Sequence, residues 1–371
     1  MRVLHVLGEL NHGGIESFLM NIYRHIDKTT IQFDFVIHTP KKCLYEEEIE
    51  QLGGRIFRVP RFYGINYLSY VKSWHKLFSE HSSFIAVHGH IGSSAAYYLS
   101  VAKKYGITTI AHSHGTRPQL NAKGLLYMLF SYQTRFVADW FFACSKAAAR
   151  ARYGKRILTS PQFKLIHNAI DIKRFLFSQQ KREEMRKEFN LSDNLVVGHV
   201  GRFSPVKNHS FLIDIFVEVL QREPRAILML VGDGETKSAI EEKVTSLGIQ
   251  ENVICTGARN DIPDLLSAMD VFVLPSFSEG LGISLIEAQV SGLHSIASHR
   301  VPWEVKVTPL VQFQSLKESA QQWAQEILAY SDLDQRTSME SEVRAAGYDI
   351  FTLSESLKNF YLSLPQEPKE G

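Results

Sequence analysis

Three cysteines in 371 residues, Cys43, Cys144 and Cys255, stand roughly a hundred positions apart. That spacing excludes a disulfide framework and a CxxC metal knuckle, and it suits a reducing cytosol. No GxGxxG follows the first apolar segment, so the dinucleotide fingerprint is absent and a dehydrogenase is disfavoured. No DxD and no His/Cys/carboxylate cluster falls where a divalent-metal site would be expected. The opening MRVLHVLGEL has only a short apolar run with Glu9 inside it. It reads as a first strand, not a signal peptide. Repeats of 20 to 50 residues and low-complexity tracts are lacking too.

Between His81 and Ala102 there is no Asp, Glu, Lys or Arg, a stretch long enough to span a bilayer. It nevertheless carries three histidines, five serines and two glycines. A strand, a turn and a helix fit it better than a membrane span. Charged residues are 22% and AVILMFWYC residues 44%, ordinary globular values that exclude a disordered or fibrous chain. The length corresponds to two medium domains.

The net charge of +2 conceals an asymmetry. Residues 1–170 carry 21 Lys and Arg against 10 Asp and Glu, a balance of +11. Residues 171–371 carry 20 against 29, a balance of −9. The first half also holds 11 of the 15 histidines. The split supports two domains facing different partners, or two solvated surfaces of opposite bias.

Short apolar segments alternate with helical spacing: VLHVLG (3–8), DFVIH (34–38), GRIFRVP (54–60), IAVHGH (85–90), TTIAHSH (108–114), FFACS (141–145) and KLIHN (164–168). The pattern pauses over the polar stretch 169–194. It resumes with LVVGHVGR (195–202), AILMLVGDG (226–234), VICTGA (253–258), VFVLPS (271–276), HSIASH (294–299) and LVQF (310–313). This predicts an α/β protein of two doubly wound, Rossmann-like parallel-sheet units, joined near residue 169 and facing across a cleft. Residues 351–364 form an amphipathic helix pattern, and PQEPKEG reads as a disordered terminus.

Four constellations carry chemistry. Glu279-Gly280-Leu281-Gly282-Ile283-Ser284-Leu285-Ile286-Glu287 follows an apolar strand and opens a helix. Its glycines admit a close backbone approach, and the amides from Leu281 to Ser284 are free donors at a positive dipole end, suited to phosphate or sugar hydroxyls. Glu287 lies on a helix face that can meet a ribose diol. The bland alternative is a helix-start carboxylate and a surface Glu. In Gly201-Arg202-Phe-Ser-Pro-Val-Lys207-Asn208, two cations a loop apart can grip a diphosphate, or simply flank a turn in solvent. Gly13-Gly14-Ile15-Glu16 forms a glycine turn at a helix start, able to cap an anionic group. His112-Ser-His114 ends one strand, as His88 and His90 end another, where a His can bond a sugar hydroxyl or a departing phosphate.

Taken together these motifs resemble the retaining, nucleotide-sugar-dependent glycosyltransferases of family 4, the "glycosyl transferases group 1". The resemblance spans nearly the whole chain: GGIE, HNAID (167–171), GRFSPVKN, LVGDG, TGARNDIPDLL, DVFVLPS and EGLGISLIEA, which looks like the family's E-x7-E motif. EAQVSGL and HRVPWEV look closest to bacterial enzymes building exopolysaccharide or capsule repeat units. The resemblance implies a GT-B fold, with an acceptor-binding unit (1–168 plus 351–371) and a nucleotide-sugar-binding unit (169–350). It also implies transfer of a hexose or N-acetylhexosamine from a UDP-sugar without metal.

By the same resemblance Arg202 and Lys207 hold the diphosphate, Glu287 the ribose, and Glu279 with the amides of Gly280, Leu281, Gly282 and Ile283 the transferred sugar. Arg259 lies beside the base and Gly14 meets the phosphate. His114, or else His112, contacts the sugar, so Glu279, His114, Arg202 and Lys207 are the catalytic set and Gly13, Glu16 and His112 the acceptor side. The sequence departs from the family at EGLG, where EGFG is usual, and at His294, where proline is common. The implied partners are a nucleotide sugar and a glycan or lipid-linked oligosaccharide acceptor, with no nucleic acid.

Basic residues and rings interleave at Arg58, Arg61, Phe62, Tyr63, Tyr67, Tyr70, Lys72, Trp74 and Lys76, and an apolar run fills 123–130. Taken singly, each ring fits packing between sheet and helices better; with the charge split, the stretch as a whole predicts reversible attachment to an anionic membrane surface, the inner face of the plasma membrane. Other functions compatible with the fold are a UDP-N-acetylglucosamine 2-epimerase and a non-catalytic partner subunit.

Overall fold

The computed structural model describes residues 1–11, 13–115, 129–330 and 336–365. The chain divides into two compact units, Met1–Ala169 with Ile350–Gly371, and Ile170–Asp349.

The first unit holds β1 (Arg2–Val6), β2 (Gln32–Ile37), β3 (Ile56–Arg58), β4 (Phe84–Gly89), β5 (Thr108–Ser113), β6 (Trp140–Ala143) and β7 (Phe163–Leu165). They form one parallel sheet in the order β3-β2-β1-β4-β5-β6-β7. Both faces are covered, so the strands inside the edge pair β3 and β7 are almost continuously buried rather than alternating. Val3, Leu7, Ala86 and Ile110 face one core, which includes Phe18 and Met20 of helix α1 (Gly14–His25). Leu4, Val6, Val87 and Ala111 face the other, which includes Tyr70 and Trp74 of helix α2 (Tyr67–Glu80).

The second unit repeats the plan with β8 (Val196–Val200), β9 (Ile227–Val231), β10 (Val253–Gly257), β11 (Val271–Leu274), β12 (His294–Ser298) and β13 (Val311–Gln314), ordered β10-β9-β8-β11-β12-β13. In each sheet the strand order reverses beside the first strand, between β1 and β4 and between β8 and β11. Crevices beyond the carboxyl ends of strands at such reversals are where open α/β sheets take ligands.

The stretch 169–194 holds no strand, in keeping with the pause in the pattern, but it is not without structure. It contains helix α3 (Gln179–Glu188), whose only buried residue is Met185. Charge anchors it instead. Arg182 and Arg186 donate to the terminal carbonyls of helix α4 (Ile262–Ala268), at 3.2 Å to Ser267 and 2.9 Å to Ala268, and both pair with Asp270. Arg336 completes the cap on Leu266 at 3.0 Å. Helix ends leave such carbonyls without intrahelical partners, and guanidinium groups also suit the negative dipole end.

Helix α5 (Ile283–Val290) begins at Gly282, whose φ of +90° is a left-handed conformation that favours glycine. Helix α6 (Ile350–Leu362) returns the chain to the first unit and buries Leu353, Leu357, Phe360 and Tyr361 in its core.

Candidate functional site

The carboxyl ends of β8 and β11 lie at the reversal of the second sheet, and two loops meet there. The Asn208 side-chain amide donates to the Pro275 carbonyl at 3.1 Å, and the Phe277 N–H to the Val206 carbonyl at 2.8 Å. This junction brings Lys207 and Glu279 together: the ammonium sits 2.7 Å from Oε1, which also accepts from the Ser276 hydroxyl at 2.6 Å. Lys207 is only 17% exposed at its side chain and Glu279 10%, so Lys207 is not the solvated cation of the bland reading. Arg202 does project into solvent, 3.2 Å from Glu235.

Gly232 and Gly234 explain the LVGDG motif. At φ of +143° and +153°, a Cβ on them would lie 2.1 Å from the Gly201 carbonyl oxygen and 2.3 Å from that of Phe203. Only glycine lets the end of β9 press against the loop carrying Arg202. His199 of β8 bridges to β11 by donating from Nδ1 to the Val273 carbonyl at 2.8 Å, and burial pushes its pKa down.

Gly280 is exposed, while Leu281 and Gly282 are buried and Ile283 half-buried at the start of α5. Glu287, half-buried on that helix, has its pKa pushed up to about 7 by desolvation, against the pull of Arg174 and Lys207. Arg259 is held by Asp261, with Nε 2.8 Å from Oδ1, and lies 3.3 Å from Glu188. His294 opens β12 at its amino end and stacks on Tyr330 with ring centres 4.4 Å apart, a packing role.

In the first unit, Gly13 is the N-cap of α1 in extended conformation, and a Cβ on it would lie 2.2 Å from Glu16 Oε2. The Glu16 carboxylate therefore folds back over the helix start, where burial raises its pKa with help from Glu9. A Cβ on Gly14 would meet nothing within 4 Å, so the turn itself does not require glycine there.

His112 and His114 are not an isolated pair. Strand alternation puts both on the same face as His5, His88 and His90 of neighbouring strands. His112 is completely buried, whereas His114 is half-buried with its pKa pushed down to about 3 by burial and Arg152. His5 and Tyr361 belong to this cluster and were not singled out by the motifs. The HxH spacing in VHGH and AHSH was the available signal for a shared face.

The basic aromatic stretch divides. Tyr70 and Trp74 are core residues, Phe62 packs on Tyr70 and Tyr97, and Arg58 pairs with Glu46 at 2.7 Å. These four do not offer a membrane-facing surface. Tyr63 (71% exposed), Ile65 (99%), Tyr67 and Leu68 (81%) do project, beside exposed Arg61 and Lys72. Most of the apolar run 123–130 lies outside the described residues. Among the described residues, no helix is long and apolar enough to cross a membrane.

Comparison with known proteins agrees with this architecture. Residues 180–336 match the family described as "Glycosyl transferases group 1", and residues 12–174 match "Glycosyltransferase Family 4". EpsF of Bacillus subtilis (strain 168), whose name calls it a glycosyltransferase, is 34% identical over 368 residues, covering 97% of this chain and 96% of that one. The chain belongs to the family 4 glycosyltransferases and has their GT-B fold.

The UDP-Gal:alpha-D-GlcNAc-diphosphoundecaprenol alpha-1,3-galactosyltransferase of Escherichia coli is 27% identical over 221 residues, or 57% of each chain. Among solved structures, HepE of Anabaena in complex with UDP superposes with a TM-score of 0.79 at 19% identity, covering 98% of this chain and 100% of that one.

Proposed function

We propose that the chain is a retaining glycosyltransferase. It moves a hexose or N-acetylhexosamine from a UDP-sugar to a lipid-linked glycan, a repeat unit of an extracellular polysaccharide. The observation that carries this is the Lys207–Glu279 pair at the β8/β11 reversal, beside the glycine-started helix α5. A diphosphate and a sugar require there a cation, a carboxylate and unpaired amides, and all three are present. UDP in the HepE complex and the diphosphoundecaprenol substrate named for the Escherichia coli relative point to the same donor and acceptor classes.

In this reading Lys207 and the exposed Arg202 stabilise charge as the diphosphate departs. The acceptor hydroxyl attacks from the leaving-group side, and a departing phosphate oxygen takes its proton. The hydroxyl oxygen bonds to the anomeric carbon as the carbon–oxygen bond to phosphate breaks, with retention. Glu279 holds the sugar, Glu287 the ribose, and His114 a sugar oxygen. No divalent metal enters the step. The first unit attaches to an anionic leaflet through Arg61, Tyr63, Ile65, Leu68 and Lys72, placing a lipid-linked acceptor within reach.

The test is calorimetry of UDP, GDP and ADP and their sugars in EDTA, followed by NMR of the product anomer. UDP binding with EDTA present and an α-product from an α-donor are expected. Binding of none of the nucleotides, or transfer abolished by EDTA, overturns the reading.

A further inference from the structure

The strand-order reversal of the first sheet, between β1 and β4, opens on a cavity of about 510 Å³. Small-molecule sites run from roughly 300 to 1,000 Å³. Four loops wall it: Glu9 lines it after β1, His38 and Thr39 after β2, Arg61 to Tyr63 after β3, and Ser93 after β4.

The walls are tied to one another, so the cavity stands preformed. The His38 N–H donates to the Gly8 carbonyl at 3.0 Å, and ring Nδ1 donates to the Val59 carbonyl at 2.9 Å. Asn66 closes the loop after β3 on itself. Its Oδ1 accepts from the Tyr63 N–H at 2.8 Å, and its Nδ2 donates to the Arg61 carbonyl at 2.8 Å.

The charges on this cavity are not spent inside the protein. Arg61, unlike Arg58, makes no ion pair among the described residues. Glu9 accepts from the Asn11 amide through Oε2 at 3.1 Å, and its Oε1 has no partner among the described residues. Strand order spreads these groups. Neighbouring strands lie about 4.8 Å apart, so the loop of Arg61 springs from a strand about 10 Å from that of Glu9. The cation sits towards the sheet edge, and the carboxylate sits with the Ser93 hydroxyl at the reversal.

The loop that lends Arg61 and Tyr63 to the cavity also projects Ile65, 99% exposed, and leads into Leu68, 81% exposed in the first turn of α2. One wall of a polar cavity is thus an apolar tip. That pairing fits an amphiphile, whose head needs the polar groups and whose tail needs the apolar ones.

We infer that the cavity takes the head of a lipid-linked acceptor: its sugar at Glu9 and Ser93, its diphosphate at Arg61, and its lipid leaving past Ile65 and Leu68. A carboxylate and a hydroxyl match sugar hydroxyls, and a guanidinium fork matches phosphate oxygens. This rests on the transferase reading for the acceptor class, and it adds the place and the direction in which the acceptor lies. Inorganic phosphate or an anionic lipid headgroup is the competing occupant, since either would satisfy Arg61. Neither has a use for Glu9, whose charge repels both.

The experiment is calorimetry of the full chain with UDP at saturation, which fills the nucleotide site. The titrant is N-acetylglucosaminyl diphosphate on a short alkyl chain, below its micelle concentration. A bare alkyl diphosphate and inorganic phosphate are the comparisons. The glycosyl diphosphate should bind tightest of the three. Arg61→Gln should weaken both organic diphosphates about tenfold, the loss of one charge-assisted hydrogen bond. Glu9→Ala should weaken the glycosyl diphosphate and spare the bare one. Ile65→Asp should change neither in solution, and should lower affinity only when the same head is carried on a polyprenyl chain in vesicles.

Equal binding of the three titrants, or Glu9→Ala without effect, would leave a general anion site and overturn the inference, as would no binding of the glycosyl diphosphate. All three side chains are exposed, so an unchanged melting temperature verifies the fold of each variant. UDP binding is read separately. A chain that binds UDP but not the glycosyl diphosphate loses this assignment alone. One that binds the glycosyl diphosphate but not UDP loses the transferase reading and keeps the cavity.

Discussion

Lys207 and Glu279, 72 residues apart in sequence, meet at 2.7 Å, and the bond joins the loops after β8 and β11. In the functional reading both residues serve the substrate, so in its absence each occupies the other. A diphosphate arriving at Lys207 competes with Glu279 for the same ammonium. Binding and carboxylate release are thereby coupled, and Ser276 remains to hold the freed Oε1.

Lys207→Met should therefore cost folding stability as well as UDP affinity, about 2 kcal/mol in denaturant unfolding, because it strands a nearly buried carboxylate. Adding Glu279→Gln should return part of that stability but none of the activity. Additive stability losses in the double variant would show that the pair is not energetically linked.

Glu279 and Glu287 should fail differently. Glu287→Ala should raise the donor KM, because a ribose contact is the same in ground and transition states. Glu279→Ala should lower kcat, because its contact strengthens as the sugar ionises. Parallel changes in both constants for both variants would reject this division.

The raised pKa of Glu287 has a definite sign. An acid whose folded pKa, about 7, exceeds its unfolded value of 4.5 binds protons more tightly when folded. Ionisation thus works against folding above pH 7, and the cost is gone below the unfolded value. Glu287→Gln should be more stable than the parent at pH 8, with the difference closing towards pH 4.5. UDP-glucose affinity should rise with pH through 7 in the parent, as the carboxylate becomes a stronger acceptor, and stay flat in the variant. Identical pH profiles, from melts and calorimetry, would discard the assignment.

Liposome co-sedimentation tests the surface of the first unit. Ile65→Asp with Leu68→Asp should abolish binding to anionic vesicles and leave the melting temperature unchanged, since both side chains are exposed. Binding should fall as salt shortens the Debye length. Arg58→Ser should instead act on stability, through Glu46. Unimpaired sedimentation of the Ile65/Leu68 variant would move the attachment elsewhere.

The two sheets were legible because strands buried on both faces are short apolar runs, and VLHVLG or VFVLPS needs no further context. Helix α3 was not legible, since its anchorage is Arg182 and Arg186 reaching carbonyls more than eighty residues away. The motif residues were legible as types and spacings. Their state was not: nothing local says that Lys207 is paired, that Arg259 is committed to Asp261, or that Tyr361 reaches His88 across 273 positions. The stretch holding Tyr70 and Trp74 was open to two readings for a related reason, and the packing alternative is the one these two rings follow. A ring beside basic residues looks interfacial until the helix face it occupies is known.

The return of α6 to the first unit also sets an order of events during synthesis. Residues 170–349 are complete as a unit when residue 349 has been made, while the core around Phe18, Phe33 and Phe142 still lacks Leu353, Leu357, Phe360 and Tyr361. The half synthesised first is therefore the half that finishes last, and until α6 arrives the sheet and α1 share that core without it. Nascent chains stalled before residue 350 should carry a protease-resistant second unit behind a protease-sensitive first one.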